Sequence, residues 1–159
     1  MKQKFNMSYL ARNMKRFIHA ITNKLNIKHL GTQLNLTRKK IILIVEDDEP
    51  SYGFIQIVLG NSGFECNWVK NGDDAITVCK KNHDVQLVLM DINLPTISGY
   101  TATKEIKKLR PNLPVIAQTA YALAGDRKKA LAAGCDDYIS KPIQQKLLMD
   151  IIRKFLPEQ

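Results

Sequence analysis

Val85-Gln86-Leu87-Val88-Leu89-Met90-Asp91 is an apolar run broken by a single amide and closed by a carboxylate. A run of this kind, without alternation, predicts a strand buried on both faces, as in a parallel sheet covered by helices on each side. In open α/β sheets, ligands collect outside the carboxyl ends of the strands, near the point where strand order reverses. Asp91, followed by Ile92-Asn93-Leu94-Pro95, is therefore expected at a crevice rather than in the core. One strand-end Asp is most simply a turn cap. Three further strand ends change that reading.

Ile41-Ile42-Leu43-Ile44-Val45 is the most β-branched run of the chain, and Glu46-Asp47-Asp48-Glu49 follows at once. Carboxylates that converge with Asp91 repel it by roughly 3 kcal/mol per pair at about 5 Å and an effective dielectric of about 20. A divalent cation relieves that repulsion, and oxygen-only ligation suits Mg²⁺, or Mn²⁺ in its place. The macrodipole of a following helix accounts for Asp48 and Glu49. It accounts less well for Glu46 and Asp47, which precede a helix start expected at Pro50. Val115-Ile116-Ala117-Gln118 closes with Thr119-Ala120, and Asp137-Tyr138-Ile139-Ser140 closes with Lys141-Pro142. Four strand ends thus deliver an acid pair, an Asp, a hydroxyl and a Lys. That set suits phosphoryl transfer onto a carboxylate. Asp91 would be the nucleophile, a metal and Lys141 would stabilise the transferring charge, and Thr119 would hydrogen-bond a phosphoryl oxygen.

Residues 41 to 156 resemble a response-regulator receiver domain, the phosphoacceptor half of two-component signalling. The resemblance rests on Ile-Leu-Ile-Val-Glu-Asp-Asp at 42–48, Met-Asp-Ile-Asn-Leu-Pro at 90–95 with Gly99 beyond, Thr-Ala-Tyr-Ala at 119–122 and Asp-Tyr-Ile-Ser-Lys-Pro-Ile at 137–143. The phrase running from Ala133 to Ile143 is most similar to receivers of hybrid sensor kinases or of single-domain relay proteins. The resemblance implies a flavodoxin-like (βα)5 doubly wound parallel sheet with strand order 2-1-3-4-5. It implies phosphorylation at Asp91 and a metal held by Glu46, Asp47, Asp91 and the backbone carbonyl of Asn93. Thr119 and Tyr138 would be the switch pair, with Ala120 beside the phosphoryl group, Lys141 its basic partner and the bond to Pro142 cis. Asn93 and Tyr121 would border the path of a hydrolytic water. The implied partners are a sensor histidine kinase or histidine phosphotransfer protein as donor, and a protein reading the face of the fourth helix, fifth strand and fifth helix. Such a domain is not a turnover enzyme.

Ten of the 24 Lys and Arg residues lie in the first 40 positions with none of the 15 Asp and Glu, so the net charge of +9 comes from the leader and the remainder is near neutral. That shift divides the chain into a basic N-terminal extension, 1–38, and a receiver-like domain, 39–159. The segments from 39 onward alternate strand and amphipathic helix five times. Helices are expected at about 50–61, 73–81, 99–109, 124–133 and 145–156, with Gly134 ending the fourth and Pro157 the fifth. In the leader, Met7, Leu10, Met14, Phe17, Ile18, Ile21 and Leu25 recur at steps of three and four, opposite Arg12, Lys15, Arg16 and Lys24. This is the pattern of a basic amphipathic helix. It could lie on anionic lipid, dock on an acidic partner, or pack on its own receiver or a second copy. It could also be a partly disordered arm or the remnant of a longer kinase. Positive charge alone gives only sequence-blind affinity for nucleic acid, so no sequence-specific nucleic acid partner is expected. The chain is expected to be a monomer or weak dimer.

No stretch reaches 18 apolar residues and nothing resembles a signal peptide, so a cytoplasmic protein is expected. Cys66, Cys79 and Cys135 have no CxxC spacing, which speaks against a zinc site or disulfide framework. Three rival functions fit less well. A haloacid-dehalogenase-type phosphatase wants a second Asp where this chain has Asn93. A flavodoxin-like electron carrier needs a phosphate-binding loop that Glu46 to Glu49 would repel. A receiver-like module acting only by binding, without phosphorylation, has no need of Asp91, Thr119 and Lys141 together.

Overall fold

The structure is a computed structural model that describes residues 40–120 and 124–157. In chain order the elements are β1 (Ile41–Val45), α1 (Glu49–Asn61), β2 (Glu65–Val69), α2 (Gly72–Lys81), β3 (Val85–Asp91), α3 (Gly99–Leu109), β4 (Val115–Thr119), α4 (Ala124–Ala132), β5 (Asp137–Ser140) and α5 (Gln145–Phe155). The strands form one parallel sheet in the order β2-β1-β3-β4-β5, the flavodoxin-like arrangement expected from the sequence. The N-terminal extension and Tyr121 lie outside the described residues.

Alternate residues along each strand serve two separate cores. Ile42, Ile44, Leu87, Leu89, Ile116 and Ile139 pack under α1 and α5. Leu43, Val45, Val88, Met90, Val115 and Ala117 pack against residues of α2, α3 and α4. With both faces covered, β1, β3 and β4 need apolar side chains at nearly every position, which is why they read as unbroken runs.

Short polar caps set the helix starts. Asp48 accepts the Ser51 N–H at 2.9 Å, so α1 begins at Glu49, one residue before the expected start at Pro50. Asn71 accepts the Asp74 N–H at 2.8 Å and Ser98 accepts the Thr101 N–H at 3.3 Å, placing α2 and α3 directly after their loops. At the opposite end of the sheet, Arg110 donates to the carbonyls of Val85 and Asn82, at 2.7 and 3.2 Å. Asp136 accepts from Lys107 Nζ and the Val115 N–H, each at 2.7 Å. These contacts pin the amino ends of β3 and β4.

One core residue is out of keeping with its surroundings. Gln118 of β4 is fully buried, and neither amide atom has a hydrogen-bond partner among the described residues. Burying an unpaired amide costs about 1–3 kcal/mol in proteins. Gln118→Met, of similar length, is therefore expected to raise unfolding free energy by about 1–2 kcal/mol, read from urea denaturation. A lower midpoint would show that the amide has a stabilising partner.

Candidate functional site

Parallel pairing brings all the strand ends to one edge of the sheet. β1 and β3 are neighbours with Val45 opposite Met90, so the next residues, Glu46 and Asp91, emerge side by side. One carboxylate oxygen from each of Glu46, Asp47 and Asp91 lies within 4.8 Å of the others. Glu46 is fully enclosed, Asp91 is 5% exposed and Asp47 is open to solvent.

Lys141 reaches this cluster from the end of β5. Its Nζ is 2.5 Å from Asp91 Oδ2 and donates to Glu46 Oε1 at 2.9 Å. Glu46 Oε2 is 2.7 Å from the same ammonium, yet outside hydrogen-bonding geometry, so that enclosed oxygen has a charge contact and no hydrogen bond. Burial pushes the Glu46 carboxyl above its usual range; the Lys141 hydrogen bond opposes this and the Asp91 charge adds to it. For Lys141, burial works to lower the pKa, but the hydrogen bonds to Asp91 and Glu46 outweigh it and the net shift is upward. The ammonium therefore stays charged between two carboxylates.

The loop after β3 completes the wall. Asp91 Oδ1 accepts the Asn93 N–H at 2.8 Å, so both carboxylate oxygens of Asp91 are engaged. The Gly99 N–H donates to the Ile92 carbonyl at 3.0 Å, and a Cβ on Gly99 would lie 2.0 Å from the Asp91 carbonyl oxygen. Only glycine fits. Gly99→Ala must displace the 91–99 backbone and is expected to cost about 3 kcal/mol, the upper part of the overpacking range. Urea unfolding reads the cost; a variant within about 0.5 kcal/mol of the parent would contradict the close approach.

Thr119 ends β4, buried at 6% exposure, with Ala120 exposed beside it. Its carbonyl accepts the Lys141 N–H at 2.7 Å, which draws the start of the Lys141-Pro142 segment alongside β4. The Lys141–Pro142 peptide is cis. Tyr138, in register with Ala117, is half-buried and packed against the α2–α3–α4 core, with the Arg127 guanidinium 5.9 Å over its ring. Glu46, Asp47, Asp91 and Lys141 thus meet directly. Asn93 and Thr119 border them, and Tyr138 stands apart, packed on the α2–α3–α4 core.

Sequence reasoning missed Trp68. Its indole N–H donates to the Glu46 carbonyl at 2.8 Å, and its ring stacks on Tyr52. The available signal was an aromatic residue one position before the end of the strand that adjoins the acid pair.

The donors suit a hard divalent cation. All are oxygens, three come from carboxylates, and one buried carboxylate oxygen lacks a hydrogen bond, as Mg²⁺ or Mn²⁺ would require. The cysteines offer no competing softer site. Among the described residues all three are free thiols, with burial pushing Cys66 and Cys79 up to about 11.

The response regulator receiver domain family matches residues 42–153. The chain belongs to that family. The receiver is 38% identical over 120 residues to the polar-differentiation response regulator DivK of Brucella abortus, covering 74% of this chain and 96% of DivK. It is 37% identical over 116 residues to the sensor histidine kinase RcsC of Escherichia coli, covering 73% of this chain and 12% of the kinase. Hybrid signal transduction histidine kinase G of Dictyostelium discoideum is 38% identical over 133 residues, 80% of this chain and 4% of the kinase. The chain therefore spans a small part of the kinases and nearly the whole of DivK.

Among solved structures, the receiver domain of a Pseudomonas aeruginosa sensor histidine kinase, with magnesium coordinated in its active-site cleft, superposes with a TM-score of 0.70 at 34% identity. That match covers 76% of this chain and 99% of that one. The receiver domain of a Saccharomyces cerevisiae response regulator, co-crystallised with a histidine phosphotransfer signalling protein, gives 0.69 at 29% identity, covering 74% and 88%. This receiver is accordingly a signalling switch of the two-component and phosphorelay class. No helix among the described residues is long and apolar enough to cross a membrane.

Proposed function

We propose that Asp91 accepts a phosphoryl group from a phosphohistidine of a sensor histidine kinase or histidine phosphotransfer protein, and that the modified receiver then controls a protein partner. The observation that carries this reading is the meeting of three carboxylates within 4.8 Å, with Lys141 bridging Glu46 and Asp91. A carboxylate oxygen of Asp91 attacks phosphorus, the P–N bond breaks, and its electron pair returns to the imidazole nitrogen. Glu46, Asp47, Asp91 and the Asn93 carbonyl would hold Mg²⁺, which would supply compensation for the charge on the transferring group. Lys141 follows the new phosphoryl oxygens, joined by the Thr119 hydroxyl and the Ala120 N–H. A cleft of about 360 Å³ lined by Pro50, Ser51, Phe54, Lys141, Pro142 and Ile143 leaves room beside the site for the donor's side chain.

Movement of Thr119 opens volume into which Tyr138 turns, altering the α4–β5–α5 face that the partner reads. Shifting a two-state domain from 1:99 to 99:1 takes about 5.5 kcal/mol. Charge-assisted hydrogen bonds contribute roughly 1.5–3 kcal/mol each, so two or three suffice. Each cycle moves one phosphoryl group, which makes the domain a switch and not a turnover enzyme. The reading is tested by titrating beryllofluoride, a phosphoryl mimic, while recording NMR spectra. The resonances of residues 46, 47, 91, 119 and 141 are expected to shift only when Mg²⁺ is present. Shifts of equal size in its absence would remove the metal from the scheme.

A further inference from the structure

The peptide joining Glu46 to Asp47 is tied to β2 at both ends of the Glu46 residue. The Glu46 N–H donates to the Val69 carbonyl at 3.1 Å, continuing the parallel ladder one step past β1. The Glu46 carbonyl, which that ladder leaves over, takes the Trp68 indole N–H at 2.8 Å. The indole is itself fixed. Its ring and that of Tyr52 on α1 are 4.0 Å apart and 3° from parallel. The Lys70 ammonium lies 4.8 Å over the indole and pairs with Glu49 at 2.7 Å. Trp68 lies in β2 with Lys70 just beyond it, and Tyr52 and Glu49 lie in the first turn of α1. The β1–α1 loop beside them carries the acid pair.

That carbonyl controls more than its own hydration. Turning the 46–47 peptide changes ψ of Glu46 and φ of Asp47 together, and with them the relative direction of the two carboxylates. A metal that keeps near-ideal octahedral geometry tolerates little error in that direction. Positioning groups of this sort routinely tune metal affinity without touching the ion.

We propose that Trp68 is a positioning residue for the cation site: its indole N–H fixes the Glu46–Asp47 peptide and so sets the affinity of the acid pair for Mg²⁺. The inference rests on the magnesium reading given above. It differs from simple packing in one respect, since packing needs the ring and positioning needs the N–H.

Trp68→Phe keeps the ring and deletes the donor, in the full chain. Calorimetric titration with Mg²⁺ is expected to give a dissociation constant raised about fivefold, the equilibrium size of one hydrogen bond. In metal-free protein, the Glu46 amide, bonded to the Val69 carbonyl, is expected to exchange with solvent several times faster, a readout independent of phosphorylation. Tyr52→Leu keeps the donor but removes its stacking support, and should weaken binding in the same direction by a smaller factor. Trp68 is the only tryptophan of the chain, so wild-type fluorescence should change with Mg²⁺ and saturate in step with the calorimetric heat. Equal affinity and equal Glu46 exchange in Trp68→Phe and wild type would overturn the proposal while leaving the magnesium site standing. Wild-type protein that takes up no Mg²⁺ at millimolar concentration would overturn both. Should Trp68→Phe fail to fold, Tyr52→Leu decides: unchanged affinity there overturns the proposal, and a weaker one supports it.

Discussion

Asp91→Asn is expected to abolish acyl-phosphate formation. Incorporation of acid-labile phosphate from a small donor such as acetyl phosphate should fall by about three orders of magnitude, to background, because an amide oxygen is a far poorer nucleophile than a carboxylate. The loss will not be one of folding. Asn keeps an oxygen for the Asn93 N–H, now bonded at 2.8 Å, and has nearly the shape of Asp. It also removes the negative charge that raises the pKa of Glu46, while depriving Lys141 of one of two partners. These charge effects oppose each other, so the thermal midpoint should move by only a few degrees, about 1 kcal/mol in a domain of this size. Glu46 is fully enclosed and offers no alternative acceptor, whereas Asp47 is exposed. Labelling that persists in Asp91→Asn would therefore reassign the phosphoacceptor to Asp47.

Lys141→Met should produce the largest stability loss of any single change at the site. It leaves the enclosed carboxylate of Glu46 facing that of Asp91 without their shared cation. Breaking a buried ion pair by removing one partner costs about 3–5 kcal/mol, and Lys141 is itself mostly shielded, at 23% side-chain exposure. Two independent treatments should restore part of that loss. The first is acid. The Glu46 pKa already lies above its ordinary value, and deleting the Lys141 hydrogen bond that opposes the shift raises it further. A carboxyl with a raised folded pKa contributes stability that is complete below its unfolded value and lost as pH rises through the folded one. The urea midpoint of the variant should consequently rise as pH falls from about 7 to about 5. The second treatment is magnesium. A cation held by Glu46 and Asp91 would compete with the ammonium for their oxygens, so the stabilisation by millimolar Mg²⁺ should exceed that of wild type. A variant as stable as wild type at neutral pH without Mg²⁺ would mean that no buried charge had lost its partner.

The sheet and its carboxylate-bearing edge were legible because buried parallel strands need unbroken apolar runs, and their ends are where polar residues reappear. Ile41–Val45, Val85–Asp91 and Val115–Thr119 each show this change directly. Strand order came from family resemblance, and with it the neighbouring positions of Glu46 and Asp91. What stayed hidden depends on register and layer. Trp68 lies opposite Ile44, and only the reach of its indole carries the N–H past Val45 to the Glu46 carbonyl. Gln118 looked like the polar end of a strand, yet its side chain is enclosed beside Asp91, its partner in register. The alternation in Asp137–Ser140 shows that Tyr138 and Ile139 face opposite ways, but not which helices each one meets. The α1 start was displaced by one residue because Asp48 took the capping role.

The division of the sheet into two cores has an evolutionary consequence. Side chains on opposite layers are separated by a strand backbone and by roughly 10 Å, a distance at which substitutions combine additively. Drift at Ala130 on α4 can therefore reshape the flank that packs Tyr138 without disturbing Ile42, Leu89 and Leu148 in the other core. A lineage of such proteins can remodel one flank while the packing of the other stays frozen.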